Sequence, residues 1–438
     1  MKRYSEYKDS GVKWIGEIPG HWKKNKIMRL FTHIGSGTTP KGDQYYTDES
    51  NGIPWINSGD LNYGFLTKCN KYITEKALND ISTLKKYPIN TLMIAMYGAS
   101  IGKYAISHIE GCTNQACCAL YGIKDELNLT YASYLMGPCK QKWIEESFGG
   151  TQPNISAEKI KQTWLPLPPL PEQEAIVTYL DSKVAKIDEY ISIAEKKIAA
   201  LEELKQTIIA EAVTRGIHKD VPMKDSGVKW IGMIPEHWKI MRLRFVCEFR
   251  NGYTPSKANP KFWENGTIPW FRMEDIRDSG RFLNEAKQYI SKEAVKGDGL
   301  FEAGSFILAT TATIGEHAML IADSLANQRF TNLKIRKSLI SKLSRNFFFY
   351  YLFVIDEYCK STTRKATFPS VDMTDLKNIG VSIPPIEEQQ EIVTYLDSKV
   401  ANINQLCQAE RSQIEKLKEY KQRLISDVVT GKVKVTND

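Results

Sequence analysis

Residues 172–187 read EQEAIVTYLDSKVAKI, and this stretch returns 216 positions later, where residues 389–403 read QQEIVTYLDSKVANI. A second phrase, DSGVKWIGEIPGHW at 9–22, returns at the same offset as DSGVKWIGMIPEHW at 225–238. Solenoid and propeller repeats have periods of roughly 20–50 residues, so this period is too long for either architecture. The sequence predicts a chain built from two equivalent halves, with a function that needs two equivalent elements.

Between these stretches the likeness of the halves weakens but continues. Each half is a variable block followed by a nearly invariant tail. We expect the segments that stay alike to share one task and the segments that differ to face different targets. The weaker matches pair GIPWINSGDL (52–61) with TIPWFRMEDI (267–276), LMIAMYGASIGK (92–103) with FILATTATIGEH (306–317), and NQA (114–116) with NQR (327–329).

The variable blocks mix strand-like and helix-like segments. INTLMIAMYG (89–98) and GSFILATTATIG (304–315) predict buried strands that end at glycine turns. ASYLMGPCKQKWIEESF (132–148) and RNFFFYYLFVIDEYCKS (345–361) each predict one helix. The expected fold class of the blocks is α+β.

Each tail predicts one long helix. After the proline-rich segments LPLPPLPEQ and VSIPPIEEQ, no proline or glycine occurs until Gly216 and Gly431. The apolar residues then alternate at spacings of three and four, which is the seam of a coiled coil. The first seam is Val177, Leu180, Val184, Ile187, Ile191, Ala194, Ile198 and Leu201; the second is Val393, Leu396, Val400, Ile403, Cys407, Glu410, Ile414 and Leu417.

A single amphipathic helix packed on its own block is the alternative to a coiled coil. A helix of about 40 residues is roughly 60 Å long, which is more than one block covers. This length favours a helix partner, and the other tail is the nearest candidate. If a pseudo-twofold axis relates the halves, the two helices run antiparallel. Cys407 and Glu410 weaken the second seam, and Lys205 and Lys421 occupy the next core position of each.

Composition bounds the class of protein. A chain of 438 residues predicts two or more domains, and its net charge of +8 permits a nucleic-acid partner without requiring one. The first residues lack the apolar core of a signal peptide, and no apolar run is long enough to span a membrane. Eight irregularly spaced cysteines favour the reducing cytoplasm. Cys112, Cys117 and Cys118 match no usual zinc spacing, so we expect buried thiols and no metal.

The chain shows no motif of an enzyme. GASIGKY (98–104) is one residue too short for a phosphate loop and has tyrosine where serine or threonine should bind magnesium. NPKF (259–262) lacks the second proline of the amino-methyltransferase motif, and no glycine-rich S-adenosylmethionine loop accompanies it. His21 and His237 repeat, but each lies in a Pro-x-His-Trp segment for which a structural role is favoured. The sequence therefore predicts a binding protein and not a catalyst.

The duplicated phrase DSGVKWIGEIPGHW, the GIPWINSGDL segment and PLPPLPEQEAIVTYLDSKVAKID resemble the specificity (S, HsdS) subunit of type I restriction–modification systems. The resemblance covers essentially the whole chain. It implies a first target recognition domain at 1–165, a first conserved long helix at 166–215, a second target recognition domain at 216–381 and a second long helix at 382–438. The two helices would form an antiparallel coiled coil that sets the spacer between the halves of a bipartite DNA site.

The resemblance also implies partners. Two methylation (M, HsdM) subunits, which bind S-adenosylmethionine, would dock on the helices, and restriction (R, HsdR) subunits would supply ATP- and magnesium-dependent endonuclease activity. This chain would hold no cofactor, metal or active site and would bind double-stranded DNA. Rival interpretations are a specificity subunit of a methyltransferase-only or fused system, a self-contained methyltransferase or nuclease, and a coiled-coil adaptor without DNA specificity.

Candidate DNA-contacting residues follow from side-chain chemistry and position. Arginine, lysine, asparagine and glutamine bind base edges, whereas serine, threonine and tyrosine assist at phosphates. We chose polar residues of matching loops, of strand ends and of the segments where the two blocks diverge. The candidates are Thr38, Thr39, Lys41, Tyr97, Ser100, Lys103, Gln152 and Asn154 in the first half and Tyr253, Thr254, Lys257, Thr310, Thr311, Thr313, Arg364 and Lys365 in the second.

Overall fold

The computed structural model describes residues 2–145, 154–362 and 370–435. The chain divides into two compact units, one of Met1–Ala194 with Ser412–Asp438 and the other of Glu195–Arg411. Each unit therefore combines one variable block with part of both tails. The domain boundaries predicted from the sequence, at 165, 215 and 381, remain predictions.

Unit 1 contains two principal sheets. Its strands are β1 Tyr7–Asp9, β2 Glu17–Pro19, β3 Lys23–Lys26, β4 Phe31–Ser36, β5 Tyr46–Thr47, β6 Ile53–Ile56, β7 Phe65–Leu66, β8 Tyr72–Ile73, β9 Thr91–Ala95, β10 Tyr104–Ser107, β11 Cys112–Thr113, β12 Cys117–Ile123 and β13 Trp164–Leu167. Its helices are α1 Ile27–Leu30, α2 Glu75–Asp80, α3 Leu129–Glu145, α4 Ala157–Gln162 and the start of α5 Leu170–Arg215. The larger sheet has the order β4-β12-β9-β10-β7 and the smaller has the order β11-β6-β8-β5.

Strand β9 lies at the centre of the larger sheet, and every residue of its sequence TLMIA is buried. Met93 pairs with Ala119 of β12 on one side and with Ala105 of β10 on the other, both antiparallel. Helix α3 buries Tyr131, Leu135 and other residues of one face in the core beneath this sheet. The predicted strand and the predicted helix of the first block are confirmed.

Unit 2 repeats this architecture. Its strands are β14 Met223–Asp225, β15 Met233–Pro235, β16 Lys239–Arg242, β17 Cys247–Asn251, β18 Ile268–Phe271, β19 Phe282–Leu283, β20 Tyr289–Ile290, β21 Phe306–Ala309, β22 His317–Leu320, β23 Leu325–Ala326, β24 Phe330–Ile335 and β25 Gly380–Ile383. Its helices are the end of α5, α6 Leu243–Val246, α7 Met273–Ser279, α8 Arg345–Thr362, α9 Met373–Asn378 and the start of α10 Ile386–Val429. The order β17-β24-β21-β22-β19 reproduces that of the larger sheet of unit 1, and β20-β18-β23 corresponds to the smaller sheet. The α+β fold class and the internal repeat are confirmed.

The long helices pair in antiparallel fashion within each unit. In unit 1, Lys421 of α10 contacts Asp188 of α5, and Val429, at the end of α10, accepts a hydrogen bond from Tyr131 beside the start of α5. In unit 2, Lys205 contacts Asn404, and the end of α5 accepts a 2.9 Å hydrogen bond at the Val213 carbonyl from Ser382, just before α10. The predicted antiparallel coiled coil is confirmed.

The predicted seam residues are buried or half-buried along both helices. Cys407 is 1% exposed and therefore packs as a small apolar residue. Glu410 is accommodated because its carboxylate pairs with the ammonium of Lys197. The second seam thus remains continuous through both of its irregular positions.

The duplicated tryptophan phrase anchors each block to the start of a long helix. Trp22 donates its indole N–H to Glu172 Oε2 at 3.0 Å, and His21 Nε2 lies 2.9 Å from the same oxygen. Unit 2 repeats the arrangement: Trp238 and His237 reach Glu388 at 3.0 and 2.8 Å. The structural role predicted for the two histidines agrees with this geometry.

Candidate nucleic-acid interface

Four segments of unit 1 meet where the strands end, and we call residues 37–41, 96–100, 113–116 and 154–155 the first loop edge. The Thr38 amide donates to the Thr113 carbonyl at 3.0 Å, and the Met96 amide donates to the Ala116 carbonyl at 2.8 Å. The last segment joins through Tyr97, which pairs with Asn154 in a β-bridge. Six of the predicted residues therefore belong to one edge of the block: Thr38, Thr39, Lys41, Tyr97, Ser100 and Asn154.

Unit 2 builds the same edge from residues 252–257, 310–313, 326–329 and 370–371, which we call the second loop edge. The Tyr253 amide donates to the Ala326 carbonyl at 2.9 Å, and the Thr310 amide donates to the Arg329 carbonyl at 2.9 Å. Thr311 pairs with Ser370 in a β-bridge. The two edges therefore share one backbone scaffold, although their side chains differ.

Each edge carries a hydroxyl–amide pair. Thr39 donates its hydroxyl to Gln115 Oε1 at 2.5 Å, and Thr254 makes the same 2.5 Å contact with Gln328 Oε1. Both glutamines are exposed, and within the described residues their amide N–H groups have no other hydrogen bond. Each pair thus holds a glutamine in place and leaves amide donors for an external acceptor.

A glycine permits the close approach that each edge requires. A Cβ on Gly37 would lie 1.7 Å from the Thr113 carbonyl oxygen, and one on Gly252 would lie 2.2 Å from the Asn327 carbonyl oxygen. No side chain fits at these distances. The glycine-containing loop (37–41 or 252–257) can therefore run beside the loop that holds the Asn-Gln dipeptide (113–116 or 326–329) in both units.

The remaining candidates of unit 1 occupy more varied positions. Lys41 is exposed, and its ammonium has no hydrogen bond or ion pair within the described chain. Tyr97 is 44% exposed. Ser100 and Lys103, both half-buried, lie in the turn between β9 and β10. Gln152 lies outside the described residues.

In unit 2, Thr310 is buried, and its contact with DNA stays a prediction. It is 5% exposed, and its hydroxyl lies 3.1 Å from that of Thr331. We therefore leave Thr310 out of the proposed surface. Tyr253 is half-buried, and its hydroxyl donates to the Ala294 carbonyl at 3.1 Å.

Other candidates of unit 2 are more accessible. Lys257 is exposed, with no ammonium contact to the described residues, and the half-buried Thr311 and Thr313 lie in the turn between β21 and β22. Arg364 and Lys365 lie outside the residues that the structure describes. The contact of any of these side chains with DNA remains a prediction.

The loop that organises each edge, residues 113–116 or 326–329, contains none of the residues predicted from the sequence. The side chain of Asn114 donates to Asn57 Oδ1 at 3.0 Å and accepts from the Ala116 amide at 3.1 Å. These bonds fix the backbone on both sides of Gln115. In unit 2, Asn327 accepts from the Arg329 amide at 3.0 Å. The repeated Asn-Gln dipeptide was visible in the sequence as a landmark, and it could have identified Gln115, Gln328 and Arg329.

The cysteines near the first loop edge are buried thiols. Burial raises the pKa of Cys112, Cys117 and Cys118 to about 12, so each thiol is protonated at neutral pH. Among the described residues, no group of three or more His, Cys, Asp or Glu side chains is arranged to hold a metal ion. No helix in the described ranges has the length and apolar character that a membrane span requires.

Comparison with known proteins identifies the family. Residues 19–203 and 235–416 match the type I restriction modification DNA specificity domain, which is most of the chain. The chain belongs to this family. It carries two copies of the family's domain, one for each half of the internal repeat, and this agrees with the resemblance found in the sequence.

Individual members of the family are similar to different extents. The chain is 46% identical over 159 residues to the EcoprrI specificity subunit of Escherichia coli, a match that spans 35% of this chain and 40% of that protein. It is 24% identical to the putative MjaX specificity subunit of Methanocaldococcus jannaschii over 98% of both chains. A solved chain from a study of complex assembly and conformational transition of the type I R-M system has a TM-score of 0.67 at 19% identity, covering 94% of this chain and 98% of that one. The last likeness shows a shared fold.

Proposed function

We propose that this chain recognises a bipartite DNA sequence, with each loop edge contacting one half-site. The observation that carries the proposal is that both units build one backbone scaffold and present different side chains on it. Tyr97 and Asn154 of the first edge correspond to Thr311 and Ser370 of the second. Different side chains on equal scaffolds suit two unlike half-sites, because base-edge contacts specify sequence whereas backbone contacts only position the protein.

The long helices suit a role as spacer. Helix α5 is continuous from Leu170 to Arg215 and so passes from residues of unit 1 to residues of unit 2. Helix α10 makes the same passage in the opposite sense between Ile386 and Val429. A helical connection of fixed length would hold two half-sites at a fixed separation along DNA, which advances about 3.4 Å per base pair.

The outer faces of these helices suit two identical protein partners. The segment TYLDSKV is the same in both tails, although only some of its residues serve the seam. Asp181 and Asp397 each accept a 2.6 Å hydrogen bond from a tyrosine of their own block, Tyr134 and Tyr350. The remaining exposed residues that the copies share are Thr178, Ser182 and Lys183 in α5 and Thr394, Ser398 and Lys399 in α10.

Two equal exposed faces are what two methylation subunits would need for equivalent docking. On this proposal the chain itself is non-catalytic, and the partner subunits bind S-adenosylmethionine, ATP and magnesium. Restriction subunits would join the same cytoplasmic complex.

The proposal is tested by enrichment of random duplex DNA on the full chain, purified as the complex that it forms in its host. We expect a motif of two specified parts separated by an unspecified spacer of constant length. Binding should weaken steeply with salt because phosphate contacts release counterions. A coiled-coil adaptor without DNA specificity would enrich no motif, and a self-contained methyltransferase would bind S-adenosylmethionine as the isolated chain.

A further inference from the structure

One residue of the second loop edge has no counterpart in the first. Arg329 follows Gln328 as Ala116 follows Gln115, so the same backbone position carries a guanidinium in unit 2 and a methyl group in unit 1. Arg329 is exposed, and within the described residues its guanidinium has no hydrogen bond, ion pair or aromatic contact. Its five N–H donors are therefore available to a ligand.

Five other arginines of this block have polar partners, whereas the exposed Arg242 and Arg345 have none among the described residues but lie outside the second loop edge. Arg329 is the arginine of that edge. Of the five, four form ion pairs with carboxylates, and the guanidinium of Arg250 donates to two backbone carbonyls at 2.8 and 2.9 Å. The four ion-paired residues are Arg272, Arg277, Arg281 and Arg336.

The backbone of Arg329 is held although its side chain is unpaired. Its amide donates to Asn327 Oδ1 at 3.0 Å, and its carbonyl accepts from the Thr310 amide at 2.9 Å. The next residue, Phe330, is fully buried and begins β24. A fixed backbone with an available guanidinium is the arrangement that a specific polar contact needs.

We propose that Arg329 recognises a guanine in the half-site bound by unit 2, donating to the O6 and N7 atoms in the major groove. This inference rests on the proposed function and adds a base identity to it. Arginine paired with guanine O6 and N7 is the commonest specific contact between a side chain and a base. A phosphate contact would serve both half-sites equally and should be repeated in unit 1, whereas Ala116 offers no donor there.

The test uses the full chain in its host complex and the Arg329→Ala variant, with enrichment of random duplexes as the measurement. We expect one guanine in one part of the motif to become unspecified, with discrimination falling about 5- to 150-fold, while the other part stays unchanged. Arg244→Ala is the matched control, since Arg244 lies in α6, at the end of β17 remote from Gly252, with its guanidinium over the Phe245 ring at 4.8 Å. This control should leave both parts of the motif intact.

A second measurement uses the unaltered protein and so does not depend on the variant folding. Replacing the guanine by 7-deazaguanine removes the N7 acceptor, and we expect weaker binding at one guanine of that half-site. The Arg329→Ala protein should bind both duplexes equally. The proposal is overturned if 7-deazaguanine has no effect at any guanine of the half-site or if Arg329→Ala keeps the original motif.

It is also overturned if Arg329→Ala weakens all duplexes equally and lowers the salt dependence, since that is the signature of a phosphate contact. If the unaltered protein enriches no motif at all, the proposed function fails, and the guanine contact fails with it. A bipartite motif with an unaffected guanine, by contrast, removes only the inference about Arg329.

Discussion

The ammonium of Lys421 lies 2.7 Å from each carboxylate oxygen of Asp188 and so joins α10 to α5 in unit 1. The repeat-related contact in unit 2 joins Lys205 to Asn404 Oδ1 at 3.2 Å. The repeated contact is therefore an ion pair in unit 1, whereas in unit 2 it joins a lysine to an uncharged asparagine.

Asp188→Asn should destabilise unit 1 only slightly, because both groups are partly exposed and such pairs contribute about 0.2–1 kcal/mol. The effect should be visible in urea unfolding at low salt and should vanish near 1 M salt, where the screening length is about 3 Å. Glu189→Gln, at the neighbouring exposed carboxylate of α5, serves as the control for the loss of a negative charge. A loss of stability that persists at high salt would show that Asp188 acts through packing.

Glu172→Ala should destabilise unit 1 because it removes the shared acceptor of the tryptophan phrase. Tyr4 and Trp22 would each lose a partner, and an unpaired buried donor costs about 1–3 kcal/mol. Urea unfolding followed by tryptophan fluorescence measures the effect. Glu174→Ala, an exposed residue two positions along the same helix, should change little, and equal losses in both variants would contradict the anchoring role.

Gly37→Ala should abolish recognition of one half-site only, because the added methyl group collides with the Thr113 carbonyl. Overpacking of this kind typically costs about 1–3 kcal/mol, and here it would separate the first loop from the asparagine–glutamine loop. Duplex enrichment should lose one part of the motif, and Gly252→Ala should lose the other. Gly59→Ala and Gly297→Ala are the controls, since a Cβ at either position meets no atom within 4 Å.

The stability of unit 2 should depend on pH through His317. This histidine is fully buried, its Nδ1 lies 2.6 Å from Asp356 Oδ2, and Arg281 lies 3.1 Å from the same carboxylate oxygen. Burial lowers the pKa of His317, and the nearby Asp356 opposes that shift without cancelling it. The unfolded chain therefore binds a proton more readily than the folded chain does.

The contribution of His317 to the free energy of unfolding should consequently be constant above the unfolded pKa of about 6.5 and should fall as the pH drops below it. One proton gives a slope of at most about 1.4 kcal/mol per pH unit. His317→Gln should flatten the slope between pH 5 and 6.5 in urea titrations. His218→Gln, at an exposed histidine of the same unit, is the control, and an unchanged slope in His317→Gln would refute the assignment.

Removing one heptad from α5 and one from α10 should shorten the spacer of the recognised sequence. Seven helical residues span about 10 Å, which corresponds to roughly three base pairs. Maps of methylated bases in the host would show the change, with both half-sites retained. An unaltered spacer would refute the proposal that the helices set the separation.

The long helices and the repeat were predictable because their signals are local or periodic. The seam from Val177 to Leu201 needs only the spacing of apolar residues, and the strand at 91–95 needs only its apolar run. The loop edges depend instead on hydrogen bonds between residues far apart in sequence, such as Met96 with Ala116 and Thr38 with Thr113. No local pattern specifies those pairs.

The same limit applies to Thr310. It follows a strand and precedes a glycine turn, as an exposed reading residue would, but its hydroxyl turns inward to Thr331. The direction of that side chain is set by strand β24 beside it, which pairs Thr331 with Leu308. Arg329 escaped notice because its place on the second loop edge depends on a backbone hydrogen bond with the distant Thr310.

Each unit completes its core with the far end of the other half's helix. Leu424, Val428 and Val429 are buried in the core of unit 1, and Ile209, Ala212 and Val213 are buried in that of unit 2. A polypeptide that contained only the first half would expose Ile209, Ala212 and Val213. To bury them, it would have to exchange helix ends with a second copy. The present chain therefore joins within one polypeptide the kind of exchange that a domain-swapped homodimer makes between two copies. Two identical copies would require a palindromic site, whereas two unlike halves in one polypeptide suit, on the proposed function, a site without that symmetry.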